Sequence, residues 1–149
     1  IIDHMDNRKR PSMAGSRYVL IEFSMNDLFP TVRNYVYELV THGYQPIVAH
    51  VERYFCCQKM EKIQELKDMG ALIQVNAGSV LGEEGWKLKK FCLELMKKDL
   101  IDFIASDTHN TSDRKLNLKK CASYVTKKMG KQYAERIFFN NPLNILKNR

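Results

Sequence analysis

The sequence has no apolar run near the roughly 18 residues needed to cross a bilayer. Its opening, IIDHMDNRKRPSMAGS over residues 1–16, lacks the apolar stretch of a signal peptide. It reads as a flexible lead-in, and a cytoplasmic location is expected. No Gly-rich phosphate loop follows the first apolar run, which argues against a nucleotide-binding sheet. Cysteine is scarce: Cys56, Cys57, Cys92 and Cys121, with no CxxC and no zinc-type spacing to a histidine. Cys57 is followed by QKMEKI and Cys121 by ASYVTK, so neither opens the Cys-x5-Arg phosphate loop of thiol-dependent phosphatases. All four are expected to be reduced and structural.

What is present is an ordinary soluble mixture. The 149 residues are 44% hydrophobic and 28% charged, which suits one domain with a real core. The net charge is +7, from 24 Lys and Arg against 17 Asp and Glu. The lysines recur at helical spacing (Lys87, Lys90, Lys97, Lys98, then Lys115, Lys119, Lys127), as on solvated helix faces. No nucleic-acid motif accompanies them, and nucleic acid is not expected as a partner. Attraction to an anionic partner or membrane surface is the alternative use of the charge.

From Tyr18 onward a pattern repeats. Tyr18–Phe23 (YVLIEF) reads as a buried strand. Pro30 opens a helical stretch that Gly43 closes. Pro46–Ala49 is the next strand, residues 58–69 the next helix, and Gly70 its stop. Ala71–Val75 is a third strand, followed by a helix over 84–98 with Leu88, Phe91, Cys92 and Leu95 on one stripe. Asp102–Ala105 is a fourth strand, then helices over 114–129 and 131–138 and a short last one from Asn141-Pro142. Alternating strand and helix predicts parallel βα units. The strands are apolar without alternation, so both sheet faces are expected to be covered. An open doubly wound sheet and a βα barrel both fit. Four units make only about half of a barrel, which takes about 200 residues or more.

Polar residues stand at the strand ends. The first strand ends in Glu22; the second runs into His50 (AHVERY); the fourth runs into Asp107 and His109 (ASDTHN). In parallel βα proteins the ligand site lies at the carboxyl ends of the strands. These four residues are therefore expected on one rim, and imidazoles with carboxylates are a ligand set for a divalent metal. His42, before Gly43, reads as a capping or surface residue, and His4 is a weak candidate in the lead-in. Arg53 and Arg114 follow the two histidine turns. A guanidinium holds phosphate oxygens bidentately, so the pair points to a phosphorylated substrate.

YVLIEF, PIVAHVERY, LIQVNAGSVLG, IDFIASDTHN with a following Arg, and NNPLNIL resemble the PHP-domain tyrosine phosphatases of bacterial capsule and exopolysaccharide loci. The resemblance runs from about Tyr18 to the C-terminus. It implies an α/β fold, a PHP-type distorted βα (TIM-like) barrel, with about four parallel βα units here. It implies a metal cluster, usually manganese, and hydrolysis of phosphotyrosine by metal-activated hydroxide. The substrate would be a protein, notably the tyrosine kinase that controls polysaccharide synthesis. By motif position Glu22, His50, Asp107 and His109 are the metal ligands, and Arg53 and Arg114 bind phosphate and serve catalysis.

The family pattern begins with an HxH motif that this sequence does not contain. Residues 17–149 are thus expected to be the C-terminal part of such a domain. The incomplete barrel would have an open side prone to self-association, loose metal binding and little activity on its own. Three other readings remain open: a PHP-class phosphoesterase of the histidinol-phosphatase kind, a non-catalytic partner-binding domain, and a basic nucleic-acid binder.

Overall fold

The computed structural model describes residues 16–106 and 111–147, excepting the side chains of 111–116. Four strands form one parallel sheet: β1 (Tyr18–Ile21), β2 (Gln45–Val48), β3 (Leu72–Asn76) and β4 (Phe103–Ala105). Their order across the sheet is the order of the sequence, β1-β2-β3-β4. A doubly wound sheet reverses direction at a switch point, whereas a barrel advances one strand at a time. This sheet advances without reversal, as an arc of a barrel does. Tyr18 is opposite Gln45 and Ile21 opposite Val48; Val48 is opposite Ile73, and Val75 opposite Ile104.

The helices lie between the strands. Helix α1 (Phe29–Thr41) has Pro30 in its first turn, where a missing N–H costs nothing. Phe29, Val32, Val36 and Leu39 form its buried stripe. It ends at Gly43, whose φ of 86° is disfavoured for side-chain-bearing residues. Helix α2 (Met60–Asp68) buries Ile63 and Leu66 and stops before Gly70, φ 108°. Helix α3 (Ala77–Leu81) is a single short turn after β3. Helix α4 (Trp86–Lys97) buries Cys92, Leu95 and Met96. Helices α5 (Thr111–Met129) and α6 (Lys131–Glu135) follow, then a π turn (Arg136–Asn140) and α7 (Asn141–Lys147). No helix among the described residues is long and apolar enough to cross a membrane.

The sheet has two unequal faces. Val19, Ile21, Val48, Ile73, Val75 and Ile104 belong to the main core with the buried stripes of α1, α2 and α4. On the other face Ile47 and Phe103 pack with Ile145 of α7, flanked by Tyr18 and Leu72. Asn141 holds α7 in place by donating from Nδ2 to the Asp102 carbonyl, 2.7 Å. The expectation that β1 is a buried strand needs correction. It alternates, with Val19 and Ile21 buried and Leu20 37% exposed. Among the described residues β1 is the first strand of the sheet, and α7 does not cover its second face at Leu20. β1 also ends at Ile21, leaving Glu22 and Phe23 in the loop beyond it. The cysteines are free thiols, as expected; Cys56 Sγ and Cys57 Sγ are 3.7 Å apart, too far for a bond of about 2.05 Å.

Candidate metal and phosphate site

Parallel strands all finish on one side of the sheet. Glu22 follows β1 directly, and His50 stands two residues beyond β2. The ladder between them continues one step past β2, where Ala49 N–H donates to Ile21 O at 3.0 Å. The two side chains therefore rise from adjacent strand ends, and His50 Nε2 lies 3.7 Å from Glu22 Oε1. That is too long for a hydrogen bond. With metal–ligand bonds of about 2.0–2.2 Å, two donors on one cation stand roughly 3–4 Å apart. The pair thus fits two ligands of a divalent ion. Glu22 is largely exposed and His50 half-buried. His50 sits at φ 37° in the left-handed region, which costs a non-glycine residue roughly 1–2 kcal/mol. The strain is concentrated on the residue that carries the imidazole to the rim.

After His50 the chain makes two 3-10 turns, Val51–Arg53 and Phe55–Cys57, not anticipated from the sequence. They turn Val51, Glu52 and Tyr54 inward and leave Arg53 half-buried. Glu52 is fully buried, and its Oε2 accepts the Asn76 N–H at the end of β3, 3.1 Å. Its backbone carbonyl accepts Gln58 Nε2 at 2.9 Å. Burial raises the Glu52 carboxyl above the ordinary carboxylate range; the Ser79 hydroxyl, the Asn76 amide and His50 draw it part of the way back. Glu52 Oε1, Ser79 Oγ and His50 Nδ1 are buried and make no geometrically closed hydrogen bond.

Tyr54 faces the other way, towards β1. It is fully buried, and its hydroxyl oxygen accepts the Phe23 N–H at 3.1 Å. Its ring meets Phe23 edge-on, centroids 5.7 Å apart, and lies 5.4 Å from the His50 ring. Phe23 in turn meets Tyr35 of α1 edge-on at 5.8 Å. Burial pushes the Tyr54 phenol up to about 12, so it stays protonated at neutral pH.

Of the residues singled out in the sequence, Glu22 and His50 come together. Arg53 lies one turn from His50, with Nη1 3.9 Å from Glu84 Oε1 in the loop before α4. Arg114 falls in the first turn of α5, and its side chain lies outside the described residues, as do Asp107, His109 and His4. His42 is the C-cap of α1, its Nδ1 2.8 Å from Glu38 O. Among the described residues no three His, Cys, Asp or Glu side chains gather as a metal cage. Glu52 and Tyr54 were not anticipated, although both stand within AHVERY. The usable signal was their place in a block whose His and Arg had already been assigned.

The model of the capsular polysaccharide synthesis family CpsB/CapC matches residues 1–147. The tyrosine-protein phosphatase CpsB of Streptococcus pneumoniae is 31% identical over 151 residues, covering 97% of this chain and 62% of that protein. A putative tyrosine-protein phosphatase CapC of Staphylococcus aureus is 39% identical over 121 residues, covering 80% and 48%. Crystal structures of YwqE from Bacillus subtilis and CpsB from Streptococcus pneumoniae, described as unique metal-dependent tyrosine phosphatases, include a similar fold. The TM-score is 0.88 at 29% identity, covering 100% of this chain and 60% of that one. The chain thus spans about half to three-fifths of the length of these relatives. The match over nearly its whole length shows that this chain belongs to the CpsB/CapC family of capsular polysaccharide synthesis proteins.

Proposed function

We propose that this chain carries part of the active site of a metal-dependent protein-tyrosine phosphatase of the PHP class. Manganese is the working ion, and the substrate is a phosphotyrosine protein, the tyrosine kinase governing capsule or exopolysaccharide synthesis. The observation that carries this reading is the Glu22–His50 pair, two donors 3.7 Å apart on adjacent strand ends. The names of the relatives support the reaction, and that of YwqE and CpsB its metal dependence.

In this reading Glu22 and His50 would hold a divalent ion, with Asp107 and His109 of ASDTHN as the further ligands. An ion held there would activate water at neutral pH and offset charge on the phosphoryl group. Arg53 and Arg114 hold the phosphate oxygens and orient phosphorus. The Arg53 contact with Glu84 is long and half-exposed, and such a contact is worth little. Cys57, Cys92 and Cys121 do not suit the role of a thiol nucleophile: all three are buried, and burial raises each.

The test is titration of manganese into the chain by calorimetry, with hydrolysis of a phosphotyrosine peptide and of histidinol phosphate in parallel. His50→Ala and Glu22→Gln are each expected to weaken manganese binding by at least about 10-fold, since even residues behind the ligands cost that much. Unchanged affinity in both variants discards the reading. Preference for histidinol phosphate over the peptide assigns a different phosphoesterase.

A further inference from the structure

We propose that Tyr54 is a positioning residue that sets the separation of Glu22 and His50. The proposal rests on the metal-site reading above. Tyr54 touches both sides of the pair. Its hydroxyl takes the N–H of Phe23, the residue next to Glu22, at 3.1 Å. Its ring lies 5.4 Å from the imidazole of His50. It is fully buried, and it is packed edge-on against Phe23, so it has little freedom to follow either loop.

One backbone bond also joins the two loops, Phe55 N–H to Met25 O at 3.2 Å, but it lies three residues beyond Glu22, whereas the Tyr54 contact falls on its neighbour. β1 ends at Ile21 and β2 at Val48, so Glu22 and His50 lie beyond the strands proper. The Ala49-to-Ile21 bond is the last rung between them. The Phe23 N–H comes after that rung, and the Tyr54 hydroxyl is its acceptor. A β-strand edge leaves such a donor to water; here it is pinned from inside the core. Glu52 performs the matching task on the opposite side, joining the same turn to β3 through Asn76 N–H. The segment after His50 is thereby tied to the strands on both sides of β2. Two ligands on separate loops bind one ion tightly only when their spacing is fixed beforehand.

The experiment uses Tyr54→Phe, which keeps the ring and removes the acceptor. Circular dichroism and a thermal melt establish that the variant is folded. Hydrogen exchange without metal then follows the Phe23 amide. It is expected to exchange at least about 10-fold faster in the variant, since one hydrogen bond of about 1.4 kcal/mol corresponds to that factor. Manganese affinity is measured in four proteins: the unaltered chain, Tyr54→Phe, Glu22→Gln and the double variant. Tyr54→Phe is expected to weaken binding by about 10-fold, within the usual range for residues supporting ligands. In the Glu22→Gln background it is expected to have no further effect. A purely structural tyrosine would lower affinity equally in both backgrounds or not at all, and either result overturns the proposal. Equal Phe23 exchange rates overturn it without reference to metal. If Glu22→Gln itself leaves affinity unchanged, Glu22 is not a ligand and the spacing role falls, while His50→Ala decides the metal-site reading separately.

Discussion

Single residues here are governed by what surrounds them more than by their type. The thiols illustrate it. Cys121 is buried, and burial raises its thiol from 9.0 to about 12; Cys57 and Cys92 move the same way. A group raised in the folded state favours folding fully below its unfolded value. That contribution is lost as pH rises from 9 towards 12, where the unfolded chain ionises first. The denaturant midpoint is therefore expected to fall between pH 8.5 and 10.5, and by less in Cys121→Ala. A midpoint that rises across this window contradicts the assignment. Iodoacetamide at pH 8 should label the half-buried Cys56 in the native protein and the other three only after unfolding. His50 and Arg53 stand out in AHVERY because imidazole and guanidinium announce chemistry by type. Glu52 and Tyr54 do not, because a carboxylate and a phenol become structural only when a 3-10 turn directs them inward, and that turn is set by tertiary contacts.

At the scale of elements, the clearest junction lies at the start of β4. Asp102 Oδ2 takes Lys67 Nζ of α2 at 2.6 Å and the Ile73 N–H of β3 at 2.8 Å, while the Asp102 carbonyl takes Asn141 of α7. One residue thus joins α2, β3 and, through its backbone, α7. Asp102→Ala is expected to cost about 2–3 kcal/mol, because the Ile73 donor loses its acceptor as the ion pair is lost. Asp102→Asn should cost less, since the amide oxygen still serves Ile73. Urea unfolding measures both, and an alanine variant within about 0.5 kcal/mol of the parent would remove the junction role. The strands, α1, α2 and α4 were readable because Pro30, Gly43 and Gly70 punctuate apolar runs of the right period. The turns at Val51–Cys57 and the short α3 were not. They are too short to show a period, and their geometry answers to Asn76, Phe23 and the strands they bridge. The fourth strand was expected from Asp102, yet it begins at Phe103, because Asp102 spends its side chain on Lys67 and Ile73.

For the molecule as a whole, the two sheet faces differ in how they are closed. The main core is closed by helices that follow each strand, whereas the smaller cluster waits for Ile145. Ile145→Ala is expected to cost about 2 kcal/mol, at the low end for a buried isoleucine because the cluster is small. It should also increase binding of a hydrophobic dye to the uncovered Ile47 and Phe103. Calorimetry and dye fluorescence test this together, and an unchanged melt with unchanged dye binding would show that α7 is only loosely seated. The direction of synthesis gives this division a temporal meaning. Glu22, His50, the Tyr54 contact and the β1–β2 ladder all lie between Tyr18 and Cys57. A chain leaving the ribosome therefore holds every part of that frame once Cys57 is added. Ile145, the latch on the opposite face, emerges only after all of them.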